Sequence, residues 1–230
     1  MERIISWLIL YFTLYIVISV HEILGHALAA WILGIPIKSI FIGSPTVYSR
    51  KIKTVSLSLG LLPIWGGVLP VEEDFFEIVW WKRFLMTAAG PFVSIGIPFV
   101  IAFILGGQEG IIVLANIVLN FCNSLFLAFQ KKEESGIALL TQDIKNDLAE
   151  HNFLTVLFVY TWLISLFIGL VNLLPIPILD GGRMLLTILE GIFGKGIQKL
   201  ANLLYILSGI ALLCYFAYDL LSEVYLLLVK

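Results

Sequence analysis

Residues 4–26 read IISWLILYFTLYIVISVHEILGH, and this stretch decides the fold. From Ile4 to Val20 it carries no charge, and the apolar run continues to residue 31. About 20 such residues in a helix cross the ~30 Å hydrocarbon core of a bilayer. At the end of the run stand His21, Glu22 and His26. Ionisable groups at that depth are costly, so they are functional candidates by default. The residue types are those of a zinc hydrolase: imidazoles to bind metal, and a carboxylate to activate water. A zinc-protease helix ordinarily reads H-E-x-x-H, with histidines at i and i+4. Here the spacing is H-E-x-x-x-H, and the second histidine falls at i+5.

At ~3.6 residues per turn, i+4 lies about 40° from i and i+5 about 140° away. A regular α-helix would therefore point His21 and His26 to different sides. A single π-bulge would absorb the extra residue and return His26 to the i+4 direction, with Gly25 easing the distortion. In a regular helix, by contrast, Glu22 and His26 (i, i+4) would be the metal-facing pair and His21 would be displaced.

Composition agrees with a membrane protein. Hydrophobic residues make up 60% of the 230 and charged residues 13%, against about 25% charge in soluble domains. A net charge of −2 with no basic stripe argues for no nucleic-acid partner. Cys122 and Cys214 lie far apart inside apolar runs and read as buried thiols packing as small hydrophobes. No cleavable signal peptide is expected, because the N-terminal run leads into the histidines.

Five stretches are candidate spans: roughly 4–31, 84–106, 110–130, 152–174 and 198–218. Between the first two, Lys53 to Leu59 alternates polar and apolar, which is strand period. Ser49-Arg50-Lys51 reads as a turn, Ile37 to Val47 as the partner strand, and Pro63 to Val68 as a breaker-rich loop. Of the 14 Lys and Arg, nine flank the 36–83 and 180–197 segments and five lie on the other side. That bias puts those two segments in the cytoplasm. Trp80 and Trp81 beside Lys82 and Arg83 read as an interfacial anchor.

A second constellation is Asn172-Leu173-Leu174-Pro175-Ile176-Pro177-Ile178-Leu179-Asp180-Gly181-Gly182. Pro175 and Pro177 should break the helix there. Asp180 then stands on irregular backbone near membrane depth, either as the N-cap of a helix over 181–193 or as a metal ligand. Two histidines and one carboxylate, with a fourth position open to water, form a standard catalytic zinc set.

Together these motifs resemble the site-2 protease family of intramembrane zinc metalloproteases. Ala88-Ala89-Gly90-Pro91 looks like that family's A-G-P signature, Pro63 to Val68 like its P-x-G-G loop, and Ser135-Gly136-Ile137-Ala138 like the stretch before its aspartate-bearing helix. The likeness covers about 15 to 219. Where many members have Asn shortly after the Gly-Pro, this chain has Ser94 and Ile95. No PDZ- or CBS-type insert is present.

The resemblance implies a zinc (Zn2+) site of His21, His26 and Asp180, with Glu22 as general base. It implies substrate contacts from Asn172, Gly66 and Gly67. The fold class expected is an all-α membrane bundle of about four transmembrane helices, with one further membrane-associated helix and a small β-element at the cytoplasmic face. Residues 1–230 would form a single membrane-embedded protease domain in the cell membrane, its active site towards the cytoplasm. The partners implied are a transmembrane-helix protein substrate, the lipid bilayer and a regulatory membrane partner. The competing expectation is an inactive relative that keeps the fold and binds membrane helices. A zinc transporter fits less well, since no relay of other charges runs along the spans. If Asp180 is to reach His21, the 110–130 segment cannot be a full span, and we expect it on the outer side.

Overall fold

The computed structural model describes residues 2–71, 77–128, 149–197 and 199–211, with 146 and 214 besides. Helix α1 (Glu2–Ser19) runs without a break into a π-helical segment (Val20–Ala27) and then into α2 (Leu28–Leu33). Gly34, in the left-handed region at φ 70°, ends this helix. The two strands β1 (Ile37–Ile52) and β2 (Val55–Pro70) follow, then the long helix α3 (Trp80–Ala128) and α4 (Phe153–Asn172). Last come α5 (Asp180–Phe193) and a short apolar helix, α6 (Lys199–Ala211).

Three helices are long and apolar enough to cross a membrane: Ile4–Leu33, Trp80–Leu119 and Phe153–Asn172. The mainly helical membrane architecture expected from the sequence is present, and α6 is the shorter fourth apolar helix among the described residues. The expected boundary between 84–106 and 110–130 is a break within α3. Gly107 sits there at φ 57° and ψ −138°, a conformation a side chain would resist. Just beyond it, a Cβ on Gly110 would stand 2.2 Å from the Ala102 carbonyl oxygen, so the two halves press together at the bend.

Helix directions follow from the contacts. Along α3, Met86 meets His26 and Ser94 meets His21, so α3 runs opposite to α1. Gly169 of α4 approaches Pro91, Ser94 and Ile95, while Ser165 donates to the Ser94 carbonyl. Helix α4 therefore runs opposite to α3 and in the same sense as α1. A core of Ile9, Leu10 and Val17 with Val156, Tyr160 and Ile164 joins α1 to α4. Fully buried aliphatic side chains of this kind contribute roughly 1.5–3 kcal/mol each in water. Between lipid-facing helices, close packing takes over much of that role.

The β-element is larger than the sequence suggested. β1 extends to Ile52, and the turn falls at Lys53 and Thr54, with Lys53 at φ 55°. Residues 63–68, read as a loop, are part of β2. The two strands pair in a folded register. Tyr48 to Ile52 lies antiparallel against Leu59 to Val55, Leu57 to Leu59 also lies alongside Ile40 to Ile42 in the same direction, and Ile42 to Ile40 takes Gly66 to Val68 antiparallel on its far side. Gly66 and Gly67 mark close backbone approach in a strand, not a loop, and a count of breaker residues does not separate the two.

Two further readings are corrected. Arg83 is no interfacial anchor: it is buried and ion-paired with Glu190 of α5, and its Nε–H donates to the Ile78 carbonyl at 3.1 Å. Cys214 is an exposed free thiol, not a packed one. The Ser135–Ala138 stretch lies outside the described residues, as does the side chain of Cys122.

Candidate metal centre

The π-helical segment resolves the spacing problem. At its end the Leu28 amide bonds to the Ile23 carbonyl, five residues back, so one turn holds one residue more than an α-helix would. His21 and His26, five apart, thereby come onto one side, with their Nε2 atoms 3.2 Å apart. Both are buried, as is Glu22 between them.

Asp180 arrives from the other end of the chain. Helix α4 stops at Asn172, and turns through Ile176 lead into α5. The residue in the N-cap position is Leu179, so Asp180 opens the helix instead of capping it. Its Oδ2 lies 3.0 Å from His21 Nε2 and 3.3 Å from His26 Nε2. Tight seats for Gly181 and Gly182 hold this turn: a Cβ on either would fall within 2.3 Å of the Leu173 or Ile176 carbonyl oxygen.

A surrounding set of groups orients the imidazoles. His26 Nδ1 lies 2.9 Å from the Met86 carbonyl oxygen. A carbonyl only accepts, so Nδ1 carries the proton and Nε2 turns its lone pair inward. His21 Nδ1 lies 2.8 Å from the Ser94 hydroxyl, and Ser94 is fully buried. The Ser165 hydroxyl donates to the Ser94 carbonyl at 2.9 Å, which fixes that turn of α3. In the sequence Ser94 stands out only as a departure from a family asparagine, and the Met86 carbonyl leaves no signal at all. Both stand where an outer layer of contacts would orient histidines that hold a metal.

Glycines form the floor. A Cβ on Gly90 would stand 2.3 Å from His26 Nε2 and 2.6 Å from His21 Nε2. A Cβ on Gly25 would meet Gly90 Cα at 2.5 Å, so the π-segment and α3 touch backbone to backbone. This contact gives the Ala88-to-Pro91 signature its physical reason. On the opposite side a Cβ on Gly66 would meet Glu22 Cγ at 2.7 Å, which puts β2 directly against the glutamate. The corresponding position on Gly67 faces the Phe41 ring instead. Asn172 ends α4, partly buried, one residue before Leu173.

The donor set fits a metal ion. His21, His26 and Asp180 each offer one ligand atom, all within 4.8 Å of one another. An inward imidazole lone pair beside a carboxylate oxygen is repulsive without a cation between them. Nitrogen and oxygen donors in this number suit zinc with one position left open. Glu22 Oε2 is buried and has no hydrogen-bond partner, an orphaned acceptor that calls for a proton or water.

Comparison with known sequences points the same way. The sequence profile of peptidase family M50 matches residues 9–216. A Streptococcus pyogenes (serotype M1) protein with zinc metalloprotease in its name is 33% identical over 110 residues, which are 48% of this chain and 26% of that protein. An Enterococcus faecalis protein whose name includes protease eep is 32% identical over 95 residues, 41% of this chain and 22% of the relative. A Staphylococcus aureus (strain N315) protein, again with zinc metalloprotease in its name, is 50% identical over 50 residues. That stretch is 22% of this chain and 12% of the relative. The matched stretches thus span about a quarter or less of these relatives.

Proposed function

We propose, since this chain belongs to peptidase family M50, that it is a zinc-dependent endopeptidase cutting transmembrane segments of other membrane proteins. The observation that carries this reading is Glu22: a buried carboxylate with an unpartnered oxygen, beside a three-ligand cluster, in a helix long enough to span a bilayer. His21, His26 and Asp180 would hold the ion. Zinc, when bound, supplies Lewis acidity towards water and a peptide carbonyl. Glu22 accepts the proton of the attacking water at Oε2 and returns it to the leaving amine. Met86 and Ser94 hold the imidazoles in orientation throughout.

A transmembrane substrate must unwind to be cut, because helical hydrogen bonds shield its carbonyls. The Gly66–Pro70 end of β2 pairs with β1 on one side, and a strand edge of this kind can take an extended peptide. In this reading Gly66 and Gly67 offer backbone groups to the substrate, and the Asn172 amide steadies its backbone or the developing oxyanion. Orientation towards the cytoplasm, residence in the cell membrane and a regulatory membrane partner complete the proposal.

The test is Glu22→Gln in detergent-purified protein. Zinc, measured by elemental analysis, should stay near one per chain, while cleavage of a reconstituted transmembrane substrate falls by several orders of magnitude. Undiminished cleavage by the variant would remove Glu22 from the mechanism. A wild-type chain that is folded but takes up no zinc would favour the inactive, helix-binding relative.

A further inference from the structure

The sheet is charged at one end only. Lys38, Arg50, Lys51 and Lys53 are all exposed, and the ion pairs found among the described residues involve none of them. The register sets their height. Lys51 pairs with Ser56, and Ser56 pairs on its other side with Ser39, the neighbour of Lys38. The hairpin turn after Ile52 therefore stands level with the start of β1. That start follows closely on Leu33, where the first membrane-length helix ends.

The other end of the sheet, around Gly43–Val47 and Leu59–Leu62, carries no charge and lies along α1. The Tyr11 hydroxyl donates to the Leu61 carbonyl at 2.7 Å. A Cβ on Gly43 would meet the Tyr15 hydroxyl oxygen at 3.2 Å. At ~1.5 Å per residue, Tyr11 lies roughly 16 Å along the helix from Glu22. The sheet thus hangs lengthwise beside the spanning helix, apolar end at depth and cationic end at the level of the helix terminus.

The distribution of the cations selects the partner. Successive strand side chains point to opposite faces, so Arg50 and Lys51 stand on opposite faces. A soluble anion or an acidic peptide lying on one face would meet only part of the set. A layer of headgroups around the sheet at one height meets all of it. The exposed Ile52 beside the cations suits insertion at that layer.

We infer that this end of the sheet is a collar that binds anionic phospholipid headgroups and fixes the depth at which β2 hangs beside Glu22. The experiment uses the full chain in phosphatidylcholine vesicles with spin-labelled phosphatidylglycerol or phosphatidylcholine as probe. Electron paramagnetic resonance reads the fraction of probe immobilised at the protein. The anionic probe should associate roughly five-fold more strongly at low salt, and the preference should shrink as salt is raised. R50Q/K51Q/K53Q, with zinc content and circular dichroism unchanged, should lose most of it. K195Q/K199Q, which removes two cations outside the sheet, should keep most of it. Equal association of the two probes would overturn the collar, as would an equal loss in both variants. Competition by millimolar inorganic phosphate would replace it with a discrete phosphate site.

Discussion

Gly90 and Ser94, one turn apart on α3, do different work for the two histidines. Gly90 gives them room: with a methyl group less than 3 Å from both Nε2 atoms, Gly90→Ala must push the imidazoles off their positions. We expect its zinc content to fall from about one per chain towards zero in protein that remains membrane-inserted, as elemental analysis after mild dialysis would show. Ser94 gives orientation, so its loss should be graded. Ser94→Ala should weaken zinc binding about 10- to 100-fold, the range for outer-layer partners of metal ligands. Competition with a chromophoric chelator measures this, and an unchanged affinity would make the 2.8 Å contact to His21 incidental. The four ionisable residues of the centre were all legible in the sequence, because charge in an apolar run is conspicuous. Gly90 was visible as part of a motif but without a reason. The Met86 carbonyl was invisible, because every residue has one.

At the scale of elements, the π-helical segment is the part whose removal is most informative. It holds one residue more than an α-helix between the histidines. Deleting Leu24, which is 47% exposed, would leave H-E-x-x-H, and the turn can relax to an α-helix without shifting α1 or α2. That deletion variant should retain zinc, whereas inserting one alanine after Leu24 should abolish binding. Zinc lost on deletion would mean that the segment does more than absorb a residue. The Arg83–Glu190 pair ties the start of α3 to the far end of α5, ten residues beyond Asp180. Arg83 is buried and Glu190 largely so, and Arg83→Met strands a carboxylate and should cost up to about 3 kcal/mol. Thermal unfolding in detergent should show this as a lowered midpoint, with R83M/E190L restoring part of it. The sequence placed Arg83 at the interface because its neighbours Trp80, Trp81 and Lys82 belong there, and its partner lies 107 residues away. The sheet was underestimated for a related reason. Alternation marks a strand only where it is regular, and the Gly66-Gly67 stretch breaks the pattern while remaining in register with Ile42 and Phe41.

For the whole molecule, α1 and α4 run in one sense and α3 in the other, so the chain from Gly107 to Asn152 starts and ends on the same side of the bilayer. A topology reporter placed near Glu150 should therefore map opposite to one placed between Pro70 and Trp80. Finding both on one side would contradict the helix directions. This arrangement could be argued from sequence only by assuming that Asp180 meets His21, and their 3.0 Å contact supplies what the argument lacked. Hydropathy counts apolar stretches but does not say which of them turn back. The meeting of Gly25 with Gly90 at backbone distance has one more result. With no side chain between the π-segment and α3 to take up slack, any change in the spacing of these helices is delivered undamped to His21 and His26. The centre is thus a strain gauge built across a helix crossing. In cobalt-substituted protein, its visible spectrum should shift as the same chain is moved from thin to thick bilayers.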